Sequence, residues 1–393
     1  MTPPADRSPF LLDPEVVFLN HGSFGACPRP VMDVYQAWQL ELERQPVEFL
    51  GRRSVDLLRA ARERLAAYLG AQADDLVFTT NATTGINIVA RSLSLGPGDE
   101  VLSTDHEYGA CDRSWRFVCA QRGAAYRQVP VDAPVTTHAD LVEAMWSAVG
   151  PRTRVLFLSH ITSPTGLIFP IEELVRRARA AGILTVIDGA HAPGQIPVAL
   201  DALGADAYAG NCHKWLCAPK GAGFLHVRRE VQPQIEPLVV SWGWRPEPGW
   251  PYASPFLSEQ EWTGTRDIAA WLAVPAAIDF QAANDWDAAR ARCHRLVREA
   301  HARLLALTGV RALCPDEGGD GGDVWLAQMV AVAVPVDDPV GFQARLYDRH
   351  RVEVPLVAWN DRTVLRASLQ GYNTHADVDA LVGALEAELG VAG

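Results

Sequence analysis

Lys214, Asp188 and a Thr pair at positions 83 and 84 have types and settings that suit chemistry rather than packing alone. Lys214 lies in Ala209-Gly210-Asn211-Cys212-His213-Lys214-Trp215, after a strand-like run and among small and apolar neighbours. An amine so placed either pairs with an acid or loses its proton by desolvation. A neutral amine is a nucleophile toward aldehydes. Asp188 closes the apolar run Ile183-Leu184-Thr185-Val186-Ile187. In an open parallel sheet a strand-end carboxylate stands at the base of the ligand crevice, although Asp taken alone is as readily a turn residue. In Asn81-Ala82-Thr83-Thr84-Gly85-Ile86-Asn87 a strand gives way to a helix through small polar residues. Amides and hydroxyls at such a start can hold a phosphate, and a lone Thr there is common as a cap.

An anion cup, a strand-end acid and a buried amine are together what pyridoxal 5'-phosphate requires. The helix start takes the phosphate, the acid keeps the pyridine nitrogen protonated, and the amine holds the aldehyde and moves protons at Cα.

Composition sharpens Lys214. Of 35 basic residues in 393, only Lys214 and Lys220 are lysines. Lys220 sits in the Gly-rich turn Ala218-Pro219-Lys220-Gly221 and reads as structural. The formal charge of −12 argues against a nucleic-acid partner, and 48% hydrophobic residues exclude fibrous and disordered classes. No apolar run approaches the ~18 residues of a membrane helix. Residues 1–9 lack the basic-then-apolar pattern of a signal peptide. Cysteines 27, 111, 119, 212, 217, 293 and 314 are scattered, without metal-type spacing. Reduced thiols in a cytoplasmic protein without a bound metal are the expectation.

These residues need a scaffold that aligns strand ends. Strand-like segments at 76–79, 101–103, 126–131, 155–159, 183–187, 205–209 and 223–227 alternate with helix-like segments at 55–69, 85–95, 114–122, 139–149 and 171–181. Repeated βα units with apolar strands predict an α/β fold with a mostly parallel, doubly wound sheet. From 231 to 265 prolines, glycines and tryptophans interrupt the pattern. Residues 268–307 read as helical, and 317–323 as a Gly/Asp connection. Strands near 330–334, 354–357 and 364–367, with a closing helix from Thr374 to Leu389, predict a second, smaller α+β domain.

The chain resembles the class V aminotransferase family of fold-type I pyridoxal-phosphate enzymes, and within it the isopenicillin N epimerase-like branch. The runs that carry the resemblance span most of the chain. They are Asn20-His21-Gly22-Ser23-Phe24-Gly25, Asp105-His106-Glu107-Tyr108-Gly109-Ala110 and Ser159-His160-Ile161-Thr162-Ser163-Pro164-Thr165-Gly166. Asp188-Gly189-Ala190-His191-Ala192-Pro193-Gly194, His213-Lys214-Trp215-Leu216 and Ser241-Trp242-Gly243 continue the set. Gly264-Thr265-Arg266-Asp267 and Tyr372-Asn373-Thr374 complete it.

The resemblance implies a large cofactor-binding domain over residues 20–275 and a small domain from 1–19 and 276–393. It implies that Lys214 binds the cofactor aldehyde and that Asp188 pairs with the ring nitrogen. His191 approaches the ring hydroxyl, where many relatives carry Gln. Tyr108 stacks on the open ring face, where desulfurase-type relatives carry His. Thr83, Thr84 and His213 hold the phosphate, and Thr265 completes that cup from the neighbouring subunit of a homodimer. Ser163 stands where many relatives have Asn. Arg366, in Val364-Leu365-Arg366-Ala367-Ser368, takes the substrate carboxylate in a guanidinium fork. Asn20 and His21 border the substrate side.

The branch implies an epimerase or racemase acting at Cα of an amino-acid or peptide-like substrate. A C–S lyase or another elimination or substitution enzyme is the alternative, and an aminotransferase a weaker one. A cysteine desulfurase would need a mobile cysteine shortly before Arg366, and Tyr347–Leu365 contains none.

Overall fold

The computed structural model describes residues 6–315 and 322–390. Its centre is a seven-stranded sheet. The strands are β1 (Leu76–Thr79), β2 (Glu100–Thr104), β3 (Ala125–Val129), β4 (Thr153–Ser159), β5 (Leu184–Gly189), β6 (Ala207–Asn211) and β7 (Gly223–Val227). The order across the sheet is β1-β7-β6-β5-β4-β2-β3. All neighbours run parallel except β7, which is antiparallel to β1 and β6. Strands β1, β2, β6 and β7 are buried along their whole length. That accords with their largely apolar or small residues, since helices cover both faces. The edge strand β3 alternates exposed and half-buried residues, ends at the buried Val129 and stops before Pro130.

A separate antiparallel sheet is built from β8 (Met329–Ala333), β9 (Leu356–Trp359) and β10 (Arg362–Ser368), in the order β9-β10-β8. Helices Trp286–Thr308, Pro339–His350 and His375–Leu389 pack with it and with one another. The last begins at a capping box in which Thr374 and Asp377 satisfy each other's backbone amides. The N-terminal segment crosses to this sheet. Val17–Phe18 pairs in parallel with Val352–Glu353, and Asn20 bridges to Ser368 at the end of β10.

Some elements differ from the sequence reading for local reasons. The helical stretch 268–307 is three helices, at Ala269–Leu272, Val274–Ala283 and Trp286–Thr308. Pro275 starts the second, and Asp285, with φ of 45°, caps the third. The strand expected at 354–357 is split at Pro355, which cannot donate to a ladder. The helix expected from Ser114 begins at Gly109, with Tyr108 as its N-cap residue. Of the 317–323 connection, residues 317–321 lie outside the described residues.

Candidate active site

Carboxyl ends of the parallel strands meet at one place. Ser159 ends β4, Asp188 lies near the end of β5, and Asn211 ends β6; Ser159 and Asp188 are register partners. They border a cavity of about 340 Å³, which Thr83, Tyr108, Ser163, His191, His213, Lys214 and Lys220 also line.

Lys214 follows β6 on a turn held by two glycines. Gly25 has φ of 72°, and a Cβ there would lie 2.0 Å from the His213 carbonyl oxygen. Gly194 has φ of 88°, and a Cβ there would lie 2.3 Å from the Trp215 carbonyl carbon. Only glycine adopts that backbone and lets the three loops touch. The Lys214 amine is 3.2 Å from His191 Nε2. Burial, and secondarily the Arg366 guanidinium, pull its pKa down to about 8, against a smaller opposing effect of Asp188.

Asp188 is buried and has no cationic partner within bonding distance. Its Oδ1 accepts from the Ala190 amide at 2.9 Å, and its Oδ2 accepts from the Cys111 thiol at 3.3 Å. Desolvation pushes its pKa up. A carboxylate so placed is poised to pair with a cation brought by a ligand. Behind it, Glu107 is fully buried, accepting from Thr104 Oγ1 at 2.7 Å and from Ser159 Oγ at 2.5 Å. Burial raises its pKa to about 8, so this acid is largely neutral.

The helix from Ala82 to Ser92 starts at the cavity. Asn211 Oδ1 accepts from the Ala82 amide at 2.8 Å, and Asn81 Oδ1 accepts from the Thr84 amide at 2.8 Å. Thr83, between them, lines the cavity. Thr84 is turned aside, its hydroxyl bonded to Thr80 Oγ1 at 2.8 Å. His213 donates from Nδ1 to the Ala222 carbonyl at 3.0 Å. Its Nε2 can therefore donate to a ligand only in the imidazolium form, and burial lowers the pKa to about 4. A hydrogen bond from His213 Nε2 to an anion would thus require proton uptake.

Arg366, 4% exposed, projects from β10 and does not itself line the cavity, but meets two residues that do, Ser163 and Ser23. It donates to Ser163 Oγ and to Ser23 Oγ at 3.2 Å each, and also to the Ser163 carbonyl. Its buried Nε has no hydrogen-bond partner among the described residues. Tyr108 is 46% exposed and stands over the cavity without a side-chain cap bond.

Not every expected residue reaches this cavity. Asn20 and His21 lie behind its wall. Asn20 Nδ2 donates to Glu353 Oε1 at 2.9 Å. His21, fully buried, bonds Tyr372 Oη at 2.9 Å and the Lys214 carbonyl at 3.0 Å. Thr265 is exposed and away from the cavity. Lys220, read from the sequence as structural, does bond the Gly25 carbonyl at 3.0 Å but also lines the cavity. Its scarcity in the composition was the available signal. Among the described residues no cysteine lines the cavity, and no cluster of side chains suits a metal. No described helix is long and apolar enough to cross a membrane.

Residues 25–381 match the family model for class-V aminotransferases. The chain belongs to the class-V aminotransferase family. It is 41% identical to the isopenicillin N epimerase of Amycolatopsis lactamdurans, over 97% of both chains. The isopenicillin N epimerase of Streptomyces clavuligerus is 39% identical over 98% of both. The crystal structure of the cysteine desulfurase CsdA from Escherichia coli superposes with a TM-score of 0.81, at 25% identity over 98% of both chains. Pyridoxal phosphate is the cofactor of this family. The cavity fits it: a free amine, an acid without a countercharge, a helix start and an uncovered aromatic ring converge there.

Proposed function

We propose that this chain is an epimerase acting at Cα of an amino-acid or peptide-like substrate, like the isopenicillin N epimerases it is similar to. The observation that carries this reading is one cavity lined by a depressed-pKa amine, Lys214, with a buried guanidinium, Arg366, bonded to two of its lining residues, Ser163 and Ser23. The amine can take a proton from one face of Cα, and inversion follows when Tyr108, a histidine or the same amine after a swing delivers a proton to the other face, while the guanidinium grips the neighbouring carboxylate. Pyridoxal phosphate supplies an aldehyde for amines and a protonated ring that stabilises negative charge at Cα.

The chain's residues divide that work. Lys214 holds the cofactor and then moves the proton at Cα. Asp188 keeps the ring nitrogen protonated, and Cys111 and Ala190 orient its two oxygens. His191 donates to the ring hydroxyl. Tyr108 covers the ring face. Thr83 and His213 hold the phosphate, with Thr84 steadying the helix start. Thr265 serves the neighbouring subunit of a homodimer, which accords with its exposure here. Ser163 and Ser23 brace Arg366. Asn20 and His21 support the wall, His21 by holding the Lys214 carbonyl. Residues 20–275 form the cofactor-binding unit and 1–19 with 276–393 the small domain, in a cytoplasmic enzyme.

Incubation with amino acids and short peptides in deuterated water tests the reading. Exchange of Cα–H with inversion is expected. Pyruvate with ammonia would make the chain a lyase, and a keto acid requiring an acceptor would make it an aminotransferase. Among the described residues no cysteine lines the cavity to accept sulfur as a protein-bound persulfide, which argues against a cysteine desulfurase.

A further inference from the structure

Trp215 has no part in the chemistry above, yet it is fully buried and its indole donates to His191 Nδ1 at 3.2 Å. An indole N–H only donates. The ring nitrogen it meets is therefore the unprotonated one, which puts the proton of neutral His191 on Nε2. That nitrogen points at Lys214 Nζ, 3.2 Å away. Protonating Nδ1 would set one N–H against another. The titratable groups facing the ring are Lys214, Arg366 and His21, all cationic when charged, so none favours an imidazolium. The main chain that carries the ring is held as well. Gln195 Nε2 donates to the His191 carbonyl at 2.7 Å, and Gln195 Oε1 accepts from the Gln328 amide at 2.8 Å.

We propose that Trp215 is a positioning residue that locks His191 as a permanent Nε2–H donor, aimed at Lys214 and, with cofactor bound, at the ring hydroxyl. The aim at the ring hydroxyl rests on the function proposed above, whereas the lock stands without it. The lock acts on the lysine as well. A donor directed at Nζ finds an acceptor lone pair only on the free amine, so the contact favours neutral Lys214. Burial drives the same amine in the same direction. A glutamine in place of His191 would carry donor and acceptor on separate atoms and would need no such lock.

The test is the tautomer of His191 in the purified enzyme labelled with nitrogen-15 in its histidines. Long-range proton–nitrogen correlation spectra identify the tautomer, and loss of the signal in His191→Gln assigns it. The expected result is a pure Nε2–H form that does not titrate between pH 6 and 9. Trp215→Phe keeps an aromatic ring in place. It should release a mixture of tautomers and weaken cofactor affinity about three- to tenfold, the scale of one hydrogen bond. An Nδ1–H form or an imidazolium in the wild type overturns the lock, as does a pure Nε2–H form surviving in Trp215→Phe. Should that variant fail to fold, the wild-type tautomer decides alone. A protein that takes up no cofactor would defeat the proposed function while leaving the tautomer readable.

Discussion

Arg366→Met removes the guanidinium and keeps much of the side chain's bulk. Arg366 is 4% exposed, braced by two serine hydroxyls at 3.2 Å, and carries a buried Nε without a hydrogen-bond partner among the described residues. Such a group is prepared for an anion. Removing one partner of a buried, hydrogen-bonded charge pair costs about 2–5 kcal/mol. At about 1.36 kcal/mol per decade, kcat/KM should fall between roughly 30- and 5000-fold. The carboxylate is held in ground state and transition state alike, so KM should carry most of the loss. Arg366→Lys keeps a charge without the fork and should fall between the wild type and Arg366→Met. The assay is steady-state epimerisation of the free substrate and of its carboxamide, with cofactor absorbance as a control. Wild type should lose on the carboxamide about what Arg366→Met loses on both. A variant with wild-type KM, or one that still discriminates the carboxamide, would refute the carboxylate role.

Lys214→Ala should abolish turnover and leave the circular dichroism spectrum unchanged; retained activity would remove Lys214 from the chemistry. Because the Lys214 pKa is drawn down to about 8, capture of pyridoxal phosphate by the apoenzyme should rise through that pH and level off; a rate still climbing at pH 10 contradicts it. Glu107, raised to about 8, binds more protons folded than unfolded between its ordinary value of 4.5 and 8. Its contribution to stability is present below that window and is lost as pH rises through it. Glu107→Gln should therefore flatten the fall in melting temperature between pH 5 and 8, and an unchanged slope would refute this. His213 can donate to phosphate only when doubly protonated, so cofactor binding at pH 8 should take up more protons, up to about one, in wild type than in His213→Gln. Calorimetry in two buffers measures the difference, and equal uptake would exclude the coupling.

Lys214, Asp188 and Thr83 were legible because each ends or follows an apolar strand, a local pattern that β5, β6 and β1 preserve in space. The breaks at Pro275 and Asp285 were local too, but a helical periodicity running across them concealed the caps. Other features had no local sign. Arg366 meets Ser23 across 343 positions, and Trp215 finds His191 only because Gly194 lets two turns touch. Asn20 and His21 belong to a run with family character, yet their side chains turn toward Glu353 and Tyr372, a choice decided by distant packing. Lys220 shows the converse: a turn residue by its neighbours, it stands at the cavity because the loop bearing Gly25 crosses beside it.

The crossing of the N-terminal segment to β10 also bears on how the protein is made. Val17 and Phe18 leave the ribosome first but pair with Val352 and Glu353, and Asn20 waits for Ser368. Lys214 and Asp188 are translated 152 and 178 codons before Arg366. A nascent chain that ends before residue 366 therefore carries the amine and the acid but lacks the guanidinium that braces on Ser163 and Ser23. Cofactor captured at that stage would meet the cell's free amino acids with no guanidinium to select among them.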